Sequence, residues 1–525
     1  MRILRAFFVA LLLALAAEAQ TAPVGRLVLV LPFENNSKAP GLDWISESFP
    51  EVLGERMSSA GFFVIGRDDR LYAFDRLGLP ATVHPSRAMV IRIAQEMDVD
   101  YVVLGSFSYD GSVFSTSAQV LDVKSLHLRP MVSGSGPLPQ LVLIQSSISW
   151  DLLRDLDPGF TLSRETFVNS VPAVRLDAFE DYLRGVLATS RTDKISYLKQ
   201  ALKLNPSYSG ALLQLGRTYF DGNEYDAAEV VLSRVPHNDL LASEANFLLG
   251  LSYYYTENFP KAEEAFQFVN SRFPLTEVVN NLGVVADLRG NTASAIDFFR
   301  RAVKADSNDP DYHFNLAVAL AASGDMEGAQ QEAKQCLSLQ ADDPDAKSLS
   351  GTLAASRPAG TKPELPEPRA KHNFDQSSFL QAELEVQEVT RARLATQSPQ
   401  QHAQGLVDIG RQLLAQGFPL QAERDLREAL ALDAKNASAH LAMASLRKSL
   451  NDTNGARSEA QQSIALHPSA DAYVLLAEID RDQNNTSAAR QDVSQALQLE
   501  PTHAEALSIE RALNAKSSSG GRRIQ

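Results

Sequence analysis

From Ser209 to Gly351, small and large apolar residues return in steps of about thirty-four. Leu215-Gly216 with Tyr219 recurs as Leu249-Gly250 with Tyr253, then as Leu282-Gly283, Leu316-Ala317 and Ser350-Gly351. Twelve residues after each of the first four small positions stands an alanine: Ala228, Ala262, Ala295 and Ala329. Four further on come Leu232, Phe266, Phe299 and Ala333. This spacing predicts units of two antiparallel helices. The small residue of the first helix is expected to face the alanine of the second, so that the axes approach to roughly 8–10 Å. Leu, Tyr and Phe then fill the space toward the next pair. One such unit cannot bury its apolar face alone, so units must stack into a solenoid.

The period breaks and then resumes. Pro358, Pro363, Pro366 and Pro368 crowd the stretch Arg357–Asn373. Proline lacks the backbone donor that a helix needs, so this stretch is expected to be an extended, mobile linker. A helix is predicted from about Gln376 to Ala395, with Phe379, Leu380, Leu384 and Val389 on one side. Ile409-Gly410, Met443-Ala444 and Leu476-Ala477 then restart the pattern, with Ala422, Ala456 and Ala489 in the second helices and His503–Leu513 as a lone closing helix. Upstream, Leu176–Thr189 and Asp193–Leu204 read as a degenerate capping unit.

These residues resemble the tetratricopeptide repeat, whose large-Leu-Gly-Tyr…Ala…Phe…Ala…Pro signature they follow. The second unit matches best, with Leu249, Gly250, Tyr253, Ala262, Phe266 and Pro274. It departs at Asn246, where the family prefers Trp, and at Val269, where it prefers Ala. The resemblance implies an α-solenoid whose first helices line a concave groove. By helical spacing from the Leu-Gly anchor, the residues expected there are Arg217, Phe220, Phe247, Leu251, Tyr254, Asn280, Asn281, Phe314 and Asn315. Aromatic rings there offer contact area, and asparagine can pair with a peptide backbone. Some members of the family grip a partner's C-terminal carboxylate with Lys, Asn and Arg. Leu213 and Arg217 stand where the first Lys and Asn would be, so that pattern is not met.

The N-terminal third has a different rhythm. Apolar runs at Arg26–Phe33, Phe62–Ile65 and Tyr101–Phe107 read as strands, and Asp43–Ala60 and Ala88–Met97 as amphipathic helices. Asp110-Gly111 predicts a hairpin into Ser112–Val123. A further strand near Leu128–Ser133 and a helix over Leu141–Leu153 follow, then a connector from Thr161 to Val174. The segments LPFENNS at Leu31–Ser37, DVDYVVLGS at Asp98–Ser106 and AQVLDVKS at Ala118–Ser125 resemble the TolB amino-terminal-like domain. That resemblance implies a small α/β domain that mediates assembly in the bacterial envelope. The expected fold class is thus α+β overall: a mixed-sheet domain, then an α-solenoid in two arrays.

The expected division is a signal peptide over 1–19, the α/β domain over 20–160 and a first array over 175–356. A proline-rich linker over 357–374, a second array over 375–515 and a disordered tail over 516–525 complete it. The signal is read from Arg2 and Arg5, the apolar run Ala6–Ala17 and the small-x-small triplet Ala17-Glu18-Ala19. It implies export to the periplasm, with secretion or peripheral attachment to the outer membrane as alternatives. An uncleaved N-terminal anchor is the other reading of that segment. No other stretch is long and apolar enough for a membrane span.

Net charge is −15, which argues against nucleic acid as a partner, since that needs a basic footprint, and against attraction to anionic lipid. The single Cys336 sits where the repeat wants a small residue and is read as packing. The nine histidines are scattered, and Asp68-Asp69 beside Arg67 and Arg70 read as a solvated turn rather than a cation site. No phosphate loop, zinc motif or nucleophile elbow is present, so neither catalytic residue nor cofactor nor metal is expected. The expected role is a non-enzymatic scaffold that binds segments of other proteins. The alternative is a substrate-recruiting or assembly subunit of an envelope enzyme or secretion complex.

Overall fold

The computed structural model describes residues 26–37, 39–80, 85–157, 159–160, 162–170, 174–237, 239–355, 364–375 and 386–520, with side chains to 514. The expected signal peptide, the first prolines of the linker and Phe379, Leu380 and Leu384 lie outside the described residues. The fold is α+β: a small mixed-sheet domain and helix pairs in two arrays. The chain forms two compact units, residues 174–380 and residues 1–173 with 381–525.

In the second of these units, β1 (Leu27–Val30), β2 (Glu34–Asn35), β3 (Phe63–Val64), β4 (Tyr101–Tyr109), β5 (Phe114–Asp122), β6 (His127–Leu128) and β7 (Val132–Gly136) form one sheet. The order is β3-β1-β4-β5-β6, with β2 on β4 and β7 on β5. β1 pairs parallel to β3 and β4, whereas β4 and β5 form an antiparallel hairpin. Gly111 at its tip has φ +101°, as the Asp-Gly reading requires. Helix α1 (Trp44–Ser59) stacks Phe49 on Phe33, with ring centroids 3.8 Å apart. Gly105 makes this possible, because a Cβ there would lie 2.3 Å from the Phe33 ring.

Helices α2 (Arg67–Arg76) and α3 (Arg87–Glu96) pack Phe74, Val90 and Ile93 against Leu29, Leu31, Val102 and Leu121. The turn expected at Asp68-Asp69 is therefore the first turn of α2. Arg70 is buried, paired with Glu47 and close to the carbonyl of Val30. The correction has a simple cause: a buried charge, neutralised by a residue twenty-three positions away, reads as solvent in the sequence. Helix α4 (Leu141–Leu156) lies against α1, where Gln145 donates to Ser48. The connector holds a short helix, α5 (Arg164–Asn169), anchored by buried Phe167.

Among its described residues the unit 174–380 carries five helix pairs: α6 (Leu176–Leu187) with α7 (Arg191–Leu204), α8 (Ser209–Asp221) with α9 (Tyr225–Leu232), α10 (Ala242–Tyr255) with α11 (Phe259–Arg272), α12 (Thr276–Leu288) with α13 (Thr292–Ala305), and α14 (Pro310–Ser323) with α15 (Met326–Leu339). A lone helix, α16 (Pro344–Ala354), closes the row. Gly216, Gly250 and Gly283 each receive the large residue of the partner helix, Leu232, Phe266 and Phe299 in turn. A Cβ on Gly250 would stand 2.7 Å from Phe266, and one on Gly283 would stand 2.6 Å from Phe299. Ala262 and Ala295 are fully buried. At Gly250 and Gly283 the ring takes the space that the missing side chain leaves, and at Gly410 the Ala422 carbonyl lies 3.5 Å from the Cβ site beside Leu426. Cys336 is buried in the apolar cluster with Phe299, Phe314 and Leu349.

After a helix over 386–394, in which Val389 is 72% exposed rather than on a buried side, the second array begins. It comprises α18 (Pro399–Gln416) with α19 (Pro419–Leu432), α20 (Ala437–Ser449) with α21 (Thr453–Leu466), and α22 (Ala470–Asp482) with α23 (Thr486–Leu499), counting the helix over 386–394 as α17. The last helix, α24 (Ala504–Gly520), runs beyond Lys516, where a disordered tail was expected. No proline interrupts it and its residues before Gly520 tolerate helix. Within this unit the α/β domain rests on the second array. Asp157 pairs with Arg424, and Gly61, at φ +88°, abuts Gln421 so closely that a Cβ would lie 2.0 Å from its Nε2.

Candidate functional site

The repeat places Asn281, Asn315 and Leu349 two residues before the small position of successive first helices, and Phe247 three before Gly250, one residue earlier in its own. In the structure this row, together with Asn280, faces a segment of the same unit: residues 364–375, Glu-Leu-Pro-Glu-Pro-Arg-Ala-Lys-His-Asn-Phe-Asp. The expectation of a mobile linker is corrected here. The segment is extended, as its prolines dictate, but it is tied along the groove as a strap. It runs antiparallel to the order of the repeats, with Arg369 at Asn315, Lys371 at Asn281 and Phe374 at Phe247.

Three asparagines, all fully buried, grip its backbone. Asn281 Nδ2 donates to the Lys371 carbonyl at 2.8 Å, and the Lys371 N–H donates to Asn281 Oδ1 at 2.7 Å. Asn315 does the same for Arg369, at 2.8 and 2.6 Å. Asn280 Nδ2 adds a second bond to the Arg369 carbonyl at 2.9 Å, and its Oδ1 accepts the other Asn315 proton at 2.8 Å. Buried amides need such partners, and here they find them in an extended chain whose own strand-type bonds are unmade.

The two cationic side chains of the strap meet an acidic row. Arg369 donates to Asp311 at 2.9 Å, to both oxygens of Asp343 at 2.6 and 2.8 Å, and to Asp345 at 3.0 Å. Its guanidinium lies 3.9 Å from the Phe314 ring centroid. Lys371 Nζ reaches Asp309 at 2.7 Å and Asp311 at 2.6 Å. The Arg369 fork, with N–H donors from Asp345 and Ala346, holds the Asp343 carboxyl down to about 2. Burial by itself would raise Asp311, but bonds from Lys371 and Arg369 outweigh it and leave that carboxyl below its ordinary value. Asp309 and Asp343 also cap the N-termini of α14 and α16, each ahead of a proline.

The far end is aromatic. Phe374 packs 5.2 Å from Phe247, and His372 stacks on Tyr255 while its Nε2 sits 2.6 Å from the Tyr255 hydroxyl. Phe220 and Tyr225 complete that corner, and Asn373 donates to Glu277 at 2.9 Å. At the near end Leu365 and Tyr254 border the apolar cluster of Phe314 and Leu349. Two of the nine expected groove residues play other parts: Arg217 pairs with Glu244, and Leu251 is fully buried.

Residues 195–250 and 288–353 match one family model described as tetratricopeptide repeat, and residues 247–310 match a second with the same description. The chain carries tetratricopeptide repeats. Among curated proteins none matches the sequence. Among solved structures, the chain is similar to one titled "Crystal structure of MamA" at 22% identity, over 29% of this chain and 89% of that one, with a TM-score of 0.28. It is similar to "YrrB: a TPR protein with an unusual peptide-binding site" at 15% identity, over 46% and 95%, with a TM-score of 0.25. The "LpoB C-terminal domain from Salmonella enterica" aligns at 19% identity over 22% and 87%, with a TM-score of 0.20.

In these tetratricopeptide repeats the acidic row went unnoticed in the sequence, although a signal was there. Asp-Pro-Asp occurs at 309–311 and again at 343–345, in register with the repeat, and Glu277 stands thirty-four residues before Asp311. Among the described residues no group of acidic, His or Cys side chains is arranged to hold a metal ion. The buried His313, bonded to Glu332 at 2.6 Å and 3.1 Å from the Ser307 carbonyl, staples α14 to α15. His440 and Glu459 repeat that staple in the second array.

Proposed function

We propose that this protein is an interaction scaffold whose first array binds an extended segment of a partner protein. The observation that carries this is the pair of hydrogen bonds that each of Asn281 and Asn315 makes to one residue of an extended chain, donating to its C=O and accepting from its N–H. Such pairs read backbone, not side chain, and suit any extended segment that fits the row. Amides, carboxylates and rings line the groove and suit binding.

The finer setting belongs to the same proposal. The basic, apolar, small-residue pattern of the first nineteen residues supports export, with the periplasm as the site of action. The resemblance of residues 26–130 to the TolB amino-terminal-like domain supports a partner in the bacterial envelope. The α/β domain would then fix the second array in place while the first array holds the partner.

A peptide array of extended envelope-protein segments, probed with the full chain and with its Asn280→Ala/Asn315→Ala variant, tests this reading. Segments held by the parent and lost by the variant support it. A set held equally by both, with the two proteins equally folded, contradicts it.

A further inference from the structure

We infer that the first-array groove selects partner segments with two basic residues two apart behind a proline, and that residues 364–375 are a self-ligand such a segment must displace. This rests on the reading of the groove as a partner site. Three observations carry it.

The first is where the charge lies. The chain is strongly acidic, yet the strap brings Arg369 and Lys371 to four carboxylates set by the repeat itself: Asp309, Asp311, Asp343 and Asp345. Two of these cap helices whether or not the strap is present, through Asp309 to the N–H of Asp311 and Asp343 to those of Asp345 and Ala346. The acidic row therefore belongs to the array, and it favours cations from any source. Residues two apart on an extended chain point to the same side, so alternate basic residues reach one row.

The second is the strap's shape. Pro366 and Pro368 hold it extended before it binds, which lowers the ordering cost. Pro368 is buried and precedes Arg369, whose N–H is the one bonded to Asn315.

The third is how the strap is held. A segment that served only to finish the core would bury apolar side chains. This one leaves Glu367, His372, Asn373 and Asp375 exposed and, besides the apolar contacts of Leu365, Pro368 and Phe374, is held by hydrogen bonds and ion pairs, which water and salt can replace. A tethered ligand acts at an effective concentration on the order of millimolar, so it occupies the groove even when its own affinity is modest. A competing segment then sees its affinity reduced by the fraction of chains whose strap is open.

The test uses the full chain and a fluorescent peptide with the sequence of residues 364–375, read by anisotropy. In one chain variant, Arg369→Ala with Lys371→Ala weakens the strap without touching the array. Lys371→Ala alone is a milder second variant, and thermal melts check that each folds. The weakened chain is expected to bind the peptide at least about tenfold tighter than the parent. A peptide with both basic residues replaced by alanine is expected to bind at least about tenfold more weakly than the basic one. Equal binding by parent and weakened chains overturns the self-ligand, and equal binding of the two peptides overturns the basic selection; either leaves the groove reading standing. A folded, weakened chain that binds neither peptide sinks the groove reading too. Dimers of the parent chain that the peptide dissolves would assign the strap's site to a second copy and overturn the proposal.

Discussion

Asn281 holds both backbone polar groups of Lys371, donating to its carbonyl at 2.8 Å and accepting its N–H at 2.7 Å, across ninety residues of sequence. Replacing this asparagine with alanine leaves the N–H and C=O of Lys371 without those partners. Unmade bonds of this kind cost about 1–3 kcal/mol. Asn281→Ala is therefore expected to speed amide exchange at Lys371 about tenfold to a hundredfold, while exchange in the α/β domain stays as it was. Exchange at Lys371 that does not change would mean the asparagine holds nothing.

The glycines of the repeat are expected to respond in opposite directions. A Cβ on Gly250 would meet the Phe266 ring at 2.7 Å, so Gly250→Ala should destabilise the array by about 1–3 kcal/mol. Gly351 holds the same motif position, but nothing lies within 4 Å of its Cβ site. Gly351→Ala should be neutral or stabilise by up to about 1 kcal/mol, as for any open glycine inside a helix. Thermal melts compare the two, and a larger loss at Gly351 would contradict the packing described.

Acid should release the strap. Asp343, held at about 2 mainly by Arg369, and Asp311, held below its ordinary value, have depressed values in the strapped state. Their contribution is therefore fully present above the ordinary carboxylate range near 4 and is lost as pH falls toward 2. Exchange measured from pH 5 downward should show protection at Arg369 fading in that window, earlier at high salt. Protection that persists unchanged to pH 2 would remove the ion pairs from the account.

Cys336 is fully buried, and burial pushes its thiol up to about 11. The thiolate is the reactive form. At pH 8 an alkylating reagent should therefore leave Cys336 unmodified in the folded chain and label it fully in denaturant, as read by mass spectrometry. Rapid labelling of the native protein would contradict its placement in the cluster with Leu349.

Much of this was legible in the sequence because the repeat is its own ruler. A step of thirty-four residues placed Asn281 and Asn315 on one row, and amide chemistry said what such a row would hold. The strap was not legible. A proline-rich polar stretch carries no periodicity, and its asparagine partners stand 54 to 90 residues away. The pairing of Gly250 with Phe266 was half visible: the need for a small residue was clear, the occupant of the space was not. Arg70 misled because its neutralising carboxylate, Glu47, sits on another helix. The packing of Gly61 on Gln421 joins elements 360 residues apart and leaves no local trace.

The most direct test is residue-resolved amide exchange across 364–375 in the full chain at neutral pH. The account predicts that Arg369 and Lys371, whose N–H groups are bonded to Asn315 and Asn281, exchange at least about tenfold more slowly than an unstructured chain. Exchange at the unstructured rate at both residues would contradict the strap and the asparagine bonds from which the groove is read.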